Sequence, residues 1–217
     1  MITVISGSNR KNSECRRFAL KYAELLKKYT DEEVQFLALE DIEHDWFHPR
    51  MYEKGKQTES LSQIQDKYML PATKMVWVTP EYNGSFPGSV KLFLDACSVR
   101  KYSQTFKGKK ATLVGIASGR AGNLLGMAHL NTVLNHVGII VMPNRLPISR
   151  IDELMDEERN ITDEETLRTM EKHAKDFISF YVNRGYNVNK IKQVEETVRR
   201  MNLEDLLCSK NRKKKRR

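Results

Sequence analysis

The feature that most constrains the fold of this chain is an alternation of short apolar runs with longer stretches of helical length. This alternation is typical of βαβ units and argues against an all-α or all-β domain. Apart from the second run, each is apolar nearly throughout, as expected for parallel strands covered by helices on both faces. Five strands are predicted, at Ile2–Ser6, Val34–Leu39, Met75–Thr79, Ala111–Ala117 and Gly138–Met142. The predicted fold class is therefore an α/β three-layer sandwich, whose strand order periodicity does not decide.

Four of the intervening stretches show apolar residues at helical spacing. These helices are predicted to follow Ser13, Pro87, Gly122 and Thr162, and Ser13 is a favourable N-cap. Their apolar positions are Phe18, Tyr22, Leu25, Leu26 and Tyr29; Val90, Phe93, Leu94 and Cys97; Leu124, Leu125, Ala128, Leu134 and Val137; and Leu167, Met170, Ala174, Phe177, Ile178 and Tyr181. Residues 40–57 show no period but contain several aromatic residues, which predicts a packed surface.

The positive charge is concentrated at the C-terminus. Residues 210–217 contain seven basic residues, and subtracting these from the net charge of +9 leaves +2 on residues 1–209. Such a block is normally a solvated tail that can contact nucleic acid, an anionic membrane or an import receptor. Three regions are expected: residues 1–185 as the α/β domain, residues 186–209 as an amphipathic helix, and residues 210–217 as a disordered basic tail.

Cysteine and histidine usage argues against disulfide and metal sites. Cys15, Cys97 and Cys208 are odd in number and widely spaced, which favours reduced thiols. His44 and His48 are four residues apart, but no third ligand accompanies them, so no metal site is predicted. Because neither a signal peptide nor an apolar run of membrane-spanning length occurs, the expected location is the cytoplasm, without membrane contact.

The segment after the first predicted strand is the first candidate for binding chemistry. It reads Gly7-Ser8-Asn9-Arg10-Lys11-Asn12-Ser13 and opens the first predicted helix. Hydroxyl groups, a planar cation and helix-start amides together favour one phosphate group. The alternative is a turn capped by Ser13 with Arg10 in solvent. Neither Gly-x-Gly-x-x-Gly nor Gly-Lys-Ser/Thr is present, which disfavours a dinucleotide or ATP site at this loop.

The segments after the third and fourth predicted strands are the other two candidates. The first of them reads Thr79-Pro80-Glu81-Tyr82-Asn83-Gly84-Ser85-Phe86-Pro87-Gly88-Ser89, and its prolines and glycines favour a rigid path that presents backbone groups to a planar ligand. The second reads Ala117-Ser118-Gly119-Arg120-Ala121-Gly122-Asn123, where glycines allow close approach of a ligand. Each could also be an ordinary turn-rich linker. Because ligands of open parallel sheets bind outside the carboxyl ends of the strands, we expect the three loops to form one crevice.

Two of these motifs resemble a known family. The first is Gly7-Ser8-x-Arg10-x-x-Ser13, and the second is Pro80-Glu81-Tyr82-Asn83-Gly84-Ser85-x-Pro87-Gly88, with Lys91 and Asp95 in the following helix. Both are similar to the motifs of the NADPH-dependent FMN reductases of flavodoxin-like fold. This family includes quinone, chromate and azo-dye reductases. The resemblance covers about residues 1–184. It implies a five-stranded parallel sheet of order 2-1-3-4-5, a non-covalent FMN, and a homodimer or homotetramer.

The resemblance also implies an activity and its site residues. NADPH or NADH would reduce FMN, which would pass electrons to a small acceptor: a quinone, an azo compound, a metal oxyanion or free flavin. No residue is assigned a catalytic acid–base role. By the resemblance, the FMN phosphate is held by Ser8, Arg10 and Ser13. The isoalloxazine ring is lined by Pro80, Glu81, Tyr82, Asn83, Gly84 and Ser85, and its other side is closed by Ser118 and Gly119. The third loop matches the family's pattern least well, because Arg120 and the run Asn123-Leu124-Leu125 depart from it.

A second hypothesis is a protein without enzymatic activity. It would be an FMN-binding electron carrier, or a regulator that contacts nucleic acid through residues 210–217. Carriers of the flavodoxin type are usually acidic, and the charge of +2 on residues 1–209 argues against one.

Overall fold

The computed structural model describes residues 1–180 of the chain. Within them, the structure contains six strands and six α-helices. The strands are β1 (Ile2–Ser6), β2 (Val34–Ala38), β3 (Lys74–Pro80), β4 (Lys110–Ile116), β5 (Ile140–Val141) and β6 (Leu146–Ile148). The helices are α1 (Glu14–Tyr29), α2 (Glu59–Ile64, continued by a π-helical turn over Gln65–Met69), α3 (Gly88–Cys97), α4 (Tyr102–Phe106), α5 (Leu124–His136) and α6 (Glu164–Ile178).

The strands form one parallel sheet of order β2-β1-β3-β4-β5, so the expected flavodoxin-like order 2-1-3-4-5 is confirmed. Ile2 of β1 pairs with Val34 of β2 on one side and with Lys74 of β3 on the other. β3 and β4 share the longest ladder, from Lys74 opposite Lys110 to Pro80 opposite Ile116. The carboxyl ends of β1, β3 and β4 therefore lie side by side.

The fifth position of the sheet is divided between two short strands. The prediction of one strand over Gly138–Met142 was wrong in its extent, because β5 contains only two residues and pairs with the start of β4. The chain then leaves the sheet at Pro143, which has no N–H to donate to a ladder. β6 returns to pair with the end of β4, Val114 opposite Leu146. This return places the residues after β6 beside the carboxyl end of β4.

Helices cover both faces of the sheet, as predicted. One buried cluster joins α1 and α6 to the sheet through side chains such as Phe18 and Phe177. The other joins α3, α4 and α5 to the opposite face through side chains such as Phe93, Phe106 and Leu130. Alternate residues of each strand enter the two clusters, since successive side chains point to opposite faces.

The predicted helices are present, with three differences. α2 and α4 were not predicted, because they are too short to show a period. In α5, Leu124 and Leu125, which belong to the apolar pattern that predicted the helix, are 53% and 57% exposed, whereas Met127 and Leu130 are buried. Their apolar character satisfied the pattern, but in the first turn of α5 it is Gly126 and Met127 that are buried. In residues 40–57, Trp46 is buried whereas Phe47 and Tyr52 are exposed.

Several predictions concern residues outside those described. These are Tyr181, the helix over residues 186–209, Cys208 and the basic tail over residues 210–217. Within residues 1–180, none of the helices combines the length and apolar character that spanning a bilayer requires. No cluster of three or more histidine, cysteine or acidic side chains in this range is arranged to hold a metal ion.

Candidate active site

A cleft of about 340 Å³ opens where the carboxyl ends of β1, β3 and β4 meet, a volume within the ~300–1,000 Å³ of ligand pockets. All three loops contribute to it, together with a segment after β6. Six of the predicted site residues line it: Arg10, Ser13, Pro80, Glu81, Tyr82 and Ser118. The other five, Ser8, Asn83, Gly84, Ser85 and Gly119, lie outside its lining. The remaining lining residues are Lys11, Asn12, Glu14, Cys15, Ile116, Ala117, Ile151, Asp152 and Arg159.

The first loop is held tightly against β3. The Gly7 N–H donates to the Val78 carbonyl at 2.8 Å, and a Cβ at Gly7 would lie 2.8 Å from a Val90 methyl, so only glycine fits there. Ser8 is fully buried; its hydroxyl accepts the Arg10 N–H at 3.1 Å and pairs with the Tyr82 hydroxyl at 2.8 Å. Ser8 therefore fixes the shape of this loop from behind the cleft.

Ser13 begins α1 as its N-cap, as predicted, but its hydroxyl has a further partner. It accepts the Arg16 N–H at 3.4 Å and donates to the Glu40 carboxylate at 3.0 Å. The Ser13 N–H also points to Glu40, at 3.4 Å. Glu40 is nearly buried and is neutralised by Arg16, whose guanidinium lies 3.0 Å away. In this arrangement the Ser13 donors are already used by a carboxylate of the chain itself.

The tip of the second loop is a closed two-residue turn. Tyr82 and Ser85 exchange two backbone hydrogen bonds, of 2.9 and 3.1 Å. Between them Asn83 and Gly84 both adopt positive φ, +51° and +74°, which defines a type I′ turn and explains the Asn-Gly pair. The Glu81 N–H donates to the Ile116 carbonyl at 3.0 Å, and this bond ties the loop to β4. The expected rigid path is thus built from local hydrogen bonds.

Asn123 and Gly126, which were not among the predicted site residues, join the third loop to the second. The Asn123 side-chain amide donates to the backbone carbonyls of Thr79 and Pro80 at 3.0 and 2.9 Å, although Asn123 itself has φ +59°. A Cβ at Gly126 would lie 2.7 Å from the Phe86 nitrogen, so α5 approaches the second loop more closely than any side chain permits. The only signal in the sequence was composition, an asparagine and a glycine at a helix start.

The segment after β6 completes the cleft and was also missed. Ile151, Asp152 and Arg159 line its wall. Arg159 reaches the start of α1, where its guanidinium donates to Glu14 Oε1 from two nitrogens, at 2.6 and 3.0 Å. It also lies 3.5 Å from Asp152. Nothing local marks these residues, because the contact spans 145 positions of the chain.

Cys15 lines the cleft but is fully buried. Its thiol donates to the Val78 carbonyl at 3.1 Å. Burial raises the pKa of Cys15 to about 11, against opposing hydrogen bonds from Ser6, Gly7 and Ser8. The thiol is therefore protonated at neutral pH and unsuited to act as a nucleophile.

The residues of the cleft fit a flavin mononucleotide. Arg10 and Lys11 provide two cations for a phosphate, and among the described residues neither forms an ion pair with an acidic side chain. Pro80, Tyr82 and Ala117 provide a wall with apolar surface for a planar ring. This combination of cationic loop and rigid turn is what binding a phosphorylated aromatic ligand requires.

The model of the NADPH-dependent FMN reductase family matches residues 1–152, well over half of the 217 residues. The chain belongs to this family. As a member it is an oxidoreductase, and the fold and motifs described above are those of an FMN-dependent reductase. Family membership thus favours the enzyme over the carrier without enzymatic activity.

Three similar proteins illustrate the family and its fold. A 2-hydroxy-1,4-benzoquinone reductase of Burkholderia sp is 29% identical over 181 residues, which cover 80% of this chain and 93% of that protein. The structure of FerB, a flavoenzyme NAD(P)H:(acceptor) oxidoreductase from Paracoccus denitrificans, is 28% identical with a TM-score of 0.61, covering 82% of this chain and 94% of its own. An FMN-dependent NADH-azoreductase from Bacillus anthracis in complex with FMN shares the fold at 16% identity and a TM-score of 0.52, over 81% and 96% of the two chains.

Proposed function

We propose that this reductase transfers electrons from NADPH or NADH, through FMN bound in the cleft, to a quinone. The observation that carries the proposal is the cleft itself, which joins the cationic first loop to the rigid second loop beside Ser118 of the third. The quinone is the acceptor we propose because the Burkholderia relative is a benzoquinone reductase.

We assign the eleven predicted residues to FMN in two ways. Those whose side chains line the cleft would contact it directly, with Arg10 at the phosphate and Pro80 and Tyr82 at the ring. Ser8, Asn83, Gly84, Ser85 and Gly119 would act through the shape of the loops or through backbone groups. Ser13 would contact the phosphate only after Glu40 releases its hydroxyl.

Bound FMN would supply the two-electron redox chemistry that links oxidation of the reduced nicotinamide to reduction of the quinone to its hydroquinone. The chain binds and orients. The two hydrogen bonds of the closed turn and the bond from the Glu81 N–H to the Ile116 carbonyl would hold Pro80 and Tyr82 in position beside the ring. Since Cys15 is a buried neutral thiol, we assign it no part in electron transfer.

The test uses the full-length chain loaded with FMN. Its visible spectrum should bleach on anaerobic addition of NADPH or NADH and return on addition of benzoquinone. Arg10→Ala should weaken FMN binding by roughly tenfold, since it removes a charge-assisted contact to phosphate. Arg168→Ala, which removes an exposed arginine of α6 paired with Glu164, is the matched control and should not. An FMN-loaded protein that neither nicotinamide reduces would refute the proposal.

We also propose the homodimer or homotetramer that the resemblance implies. The exposure of Leu124 and Leu125 at the start of α5 supports a covered apolar surface. Light scattering of the purified chain should give at least twice the mass of 25.2 kDa. A mass of one chain across micromolar concentrations would contradict it.

A further inference from the structure

Arg159 adopts a backbone conformation that is unfavourable for arginine. The Arg159 N–H donates to the Asp156 carbonyl at 3.0 Å, which closes a turn, and Arg159 then adopts φ +65°. Glycine fits such a position without strain, whereas an arginine is strained there. A strained residue that lines a ligand cleft is a candidate for a functional side chain.

The Arg159 guanidinium is held at the cleft by two acids. It contacts Glu14 at 2.6 Å and Asp152 at 3.5 Å, and all three residues line the cleft. Its side chain remains 40% exposed. Because surface ion pairs contribute little to stability, this pair alone does not account for an arginine at a glycine position.

The charges of the cleft indicate what the guanidinium would bind. Three cations, Arg10, Lys11 and Arg159, line it together with three acids, Glu14, Glu81 and Asp152. Both donors of Ser13 point to Glu40 rather than into the cleft. A phosphate dianion at the start of α1 therefore lacks the Ser13 donors and meets Arg10 and Lys11, whereas the third cation of the cleft, Arg159, is paired with Glu14 and Asp152.

We infer that Arg159 is a specificity residue for the phosphate of the bound flavin. On binding, its guanidinium would move from Glu14, in the first turn of α1, to a phosphate held by the first loop. A guanidinium matches phosphate oxygens in two hydrogen bonds, so the exchange favours FMN over riboflavin. Glu14 holds Arg159 in place until the phosphate arrives. This inference rests on the proposed function.

The experiment measures dissociation constants of FMN and riboflavin by quenching of flavin fluorescence. Arg159→Gly keeps the turn, since glycine adopts φ +65° without strain, so a folding defect is not expected. FMN should bind about tenfold more weakly and riboflavin unchanged. The matched control is Arg17→Ala, which removes an equal charge from the same Glu14 carboxylate but lies outside the cleft. It should leave the ratio of the two constants unchanged.

A second variant distinguishes the exchange from a merely structural ion pair. Glu14→Gln should tighten FMN binding by releasing Arg159, and this gain should vanish in the Arg159→Gly background. A gain of equal size in both backgrounds would mean that Glu14 only repels phosphate, and would overturn the inference. The inference would also be overturned if the Arg159→Gly variant bound FMN as tightly as the wild type, including the case in which its only change is in the preference for NADPH over NADH. A wild-type chain that binds neither flavin would instead refute the proposed function.

Discussion

The Tyr82 hydroxyl lies 2.8 Å from the Ser8 hydroxyl, so one hydrogen bond joins the loop after β3 to the loop after β1. Ser8 is fully buried, whereas Tyr82 lines the cleft. The two segments that the sequence assigns to the phosphate and to the ring are therefore mechanically coupled. A substitution in one loop is therefore expected to alter the conformation of the other.

Tyr82→Phe should lower both stability and FMN affinity. The variant keeps the ring but leaves the buried Ser8 hydroxyl without one partner, a loss of about 1–2 kcal/mol in the free energy of unfolding. Urea denaturation and flavin titration measure the two effects. Tyr52→Phe, at a tyrosine that is 64% exposed, should change neither. Equal unfolding free energies in the two variants would show that the hydrogen bond is not formed in solution.

Asn123→Ala should destabilise the chain by about 3 kcal/mol. Alanine tolerates positive φ poorly, and the carbonyls of Thr79 and Pro80 lose a buried donor. Asn12→Ala is the control for backbone strain alone, since exposed Asn12 has φ +56°, close to the +59° of Asn123; it should cost about 1 kcal/mol. Chemical denaturation measures both. If the two costs are equal, the Asn123 amide contributes nothing beyond its backbone conformation.

Stability should fall in mild acid because of His173. This buried ring pairs through Nδ1 with the Tyr22 hydroxyl at 2.8 Å, and its Nε2 lies 3.1 Å from the Asn144 carbonyl. With Nε2 donating to the carbonyl and Nδ1 accepting from tyrosine, the ring is neutral.

Burial lowers the pKa of His173, although the Asn144 carbonyl and Asp176 oppose the shift. The unfolded chain, with a histidine pKa of about 6.5, therefore binds more protons than the folded chain below that pH. The free energy of unfolding should decrease as pH falls below about 6.5. His173→Gln should reduce this slope, and His136→Gln, at an exposed histidine, should retain it. A slope unchanged in His173→Gln would contradict the assignment.

Thiol reagents should not inactivate the enzyme at pH 8. Burial raises the pKa of Cys15 to about 11 and that of Cys97 further still, so little reactive thiolate is present. In a Cys208→Ser background, Ellman's reagent should titrate neither cysteine in the folded chain and both in urea. Modification of Cys15 in the native state, with loss of FMN binding, would show that the cleft opens more deeply than the structure indicates.

Local patterns predicted the elements whose cause is local. β1 was predicted with its observed bounds, and Ser13 caps α1 as its residue type indicates. The rigid path predicted for the second loop also has a local cause, because its turn needs positive φ at Asn83 and Gly84, a conformation that only a few residue types tolerate. The family resemblance, based on motifs in the first two loops, supplied the strand order that periodicity does not contain.

The contacts that shape the cleft depend on the tertiary structure. Glu40 reaches Ser13 across 27 positions of the chain, and Arg159 reaches Glu14 across 145. Neither pair has a local signature, because Glu40 and Arg159 each resemble an exposed charge on a loop when only the neighbouring sequence is considered. The sequence by itself determined the parallel α/β fold, the loops that bear the site and the phosphate and ring chemistry that they favour. Only the folded chain decided which donors remain available for that phosphate, because hydrogen bonds and ion pairs depend on distances that are set by the packing of α1 against the segments after β2 and β6.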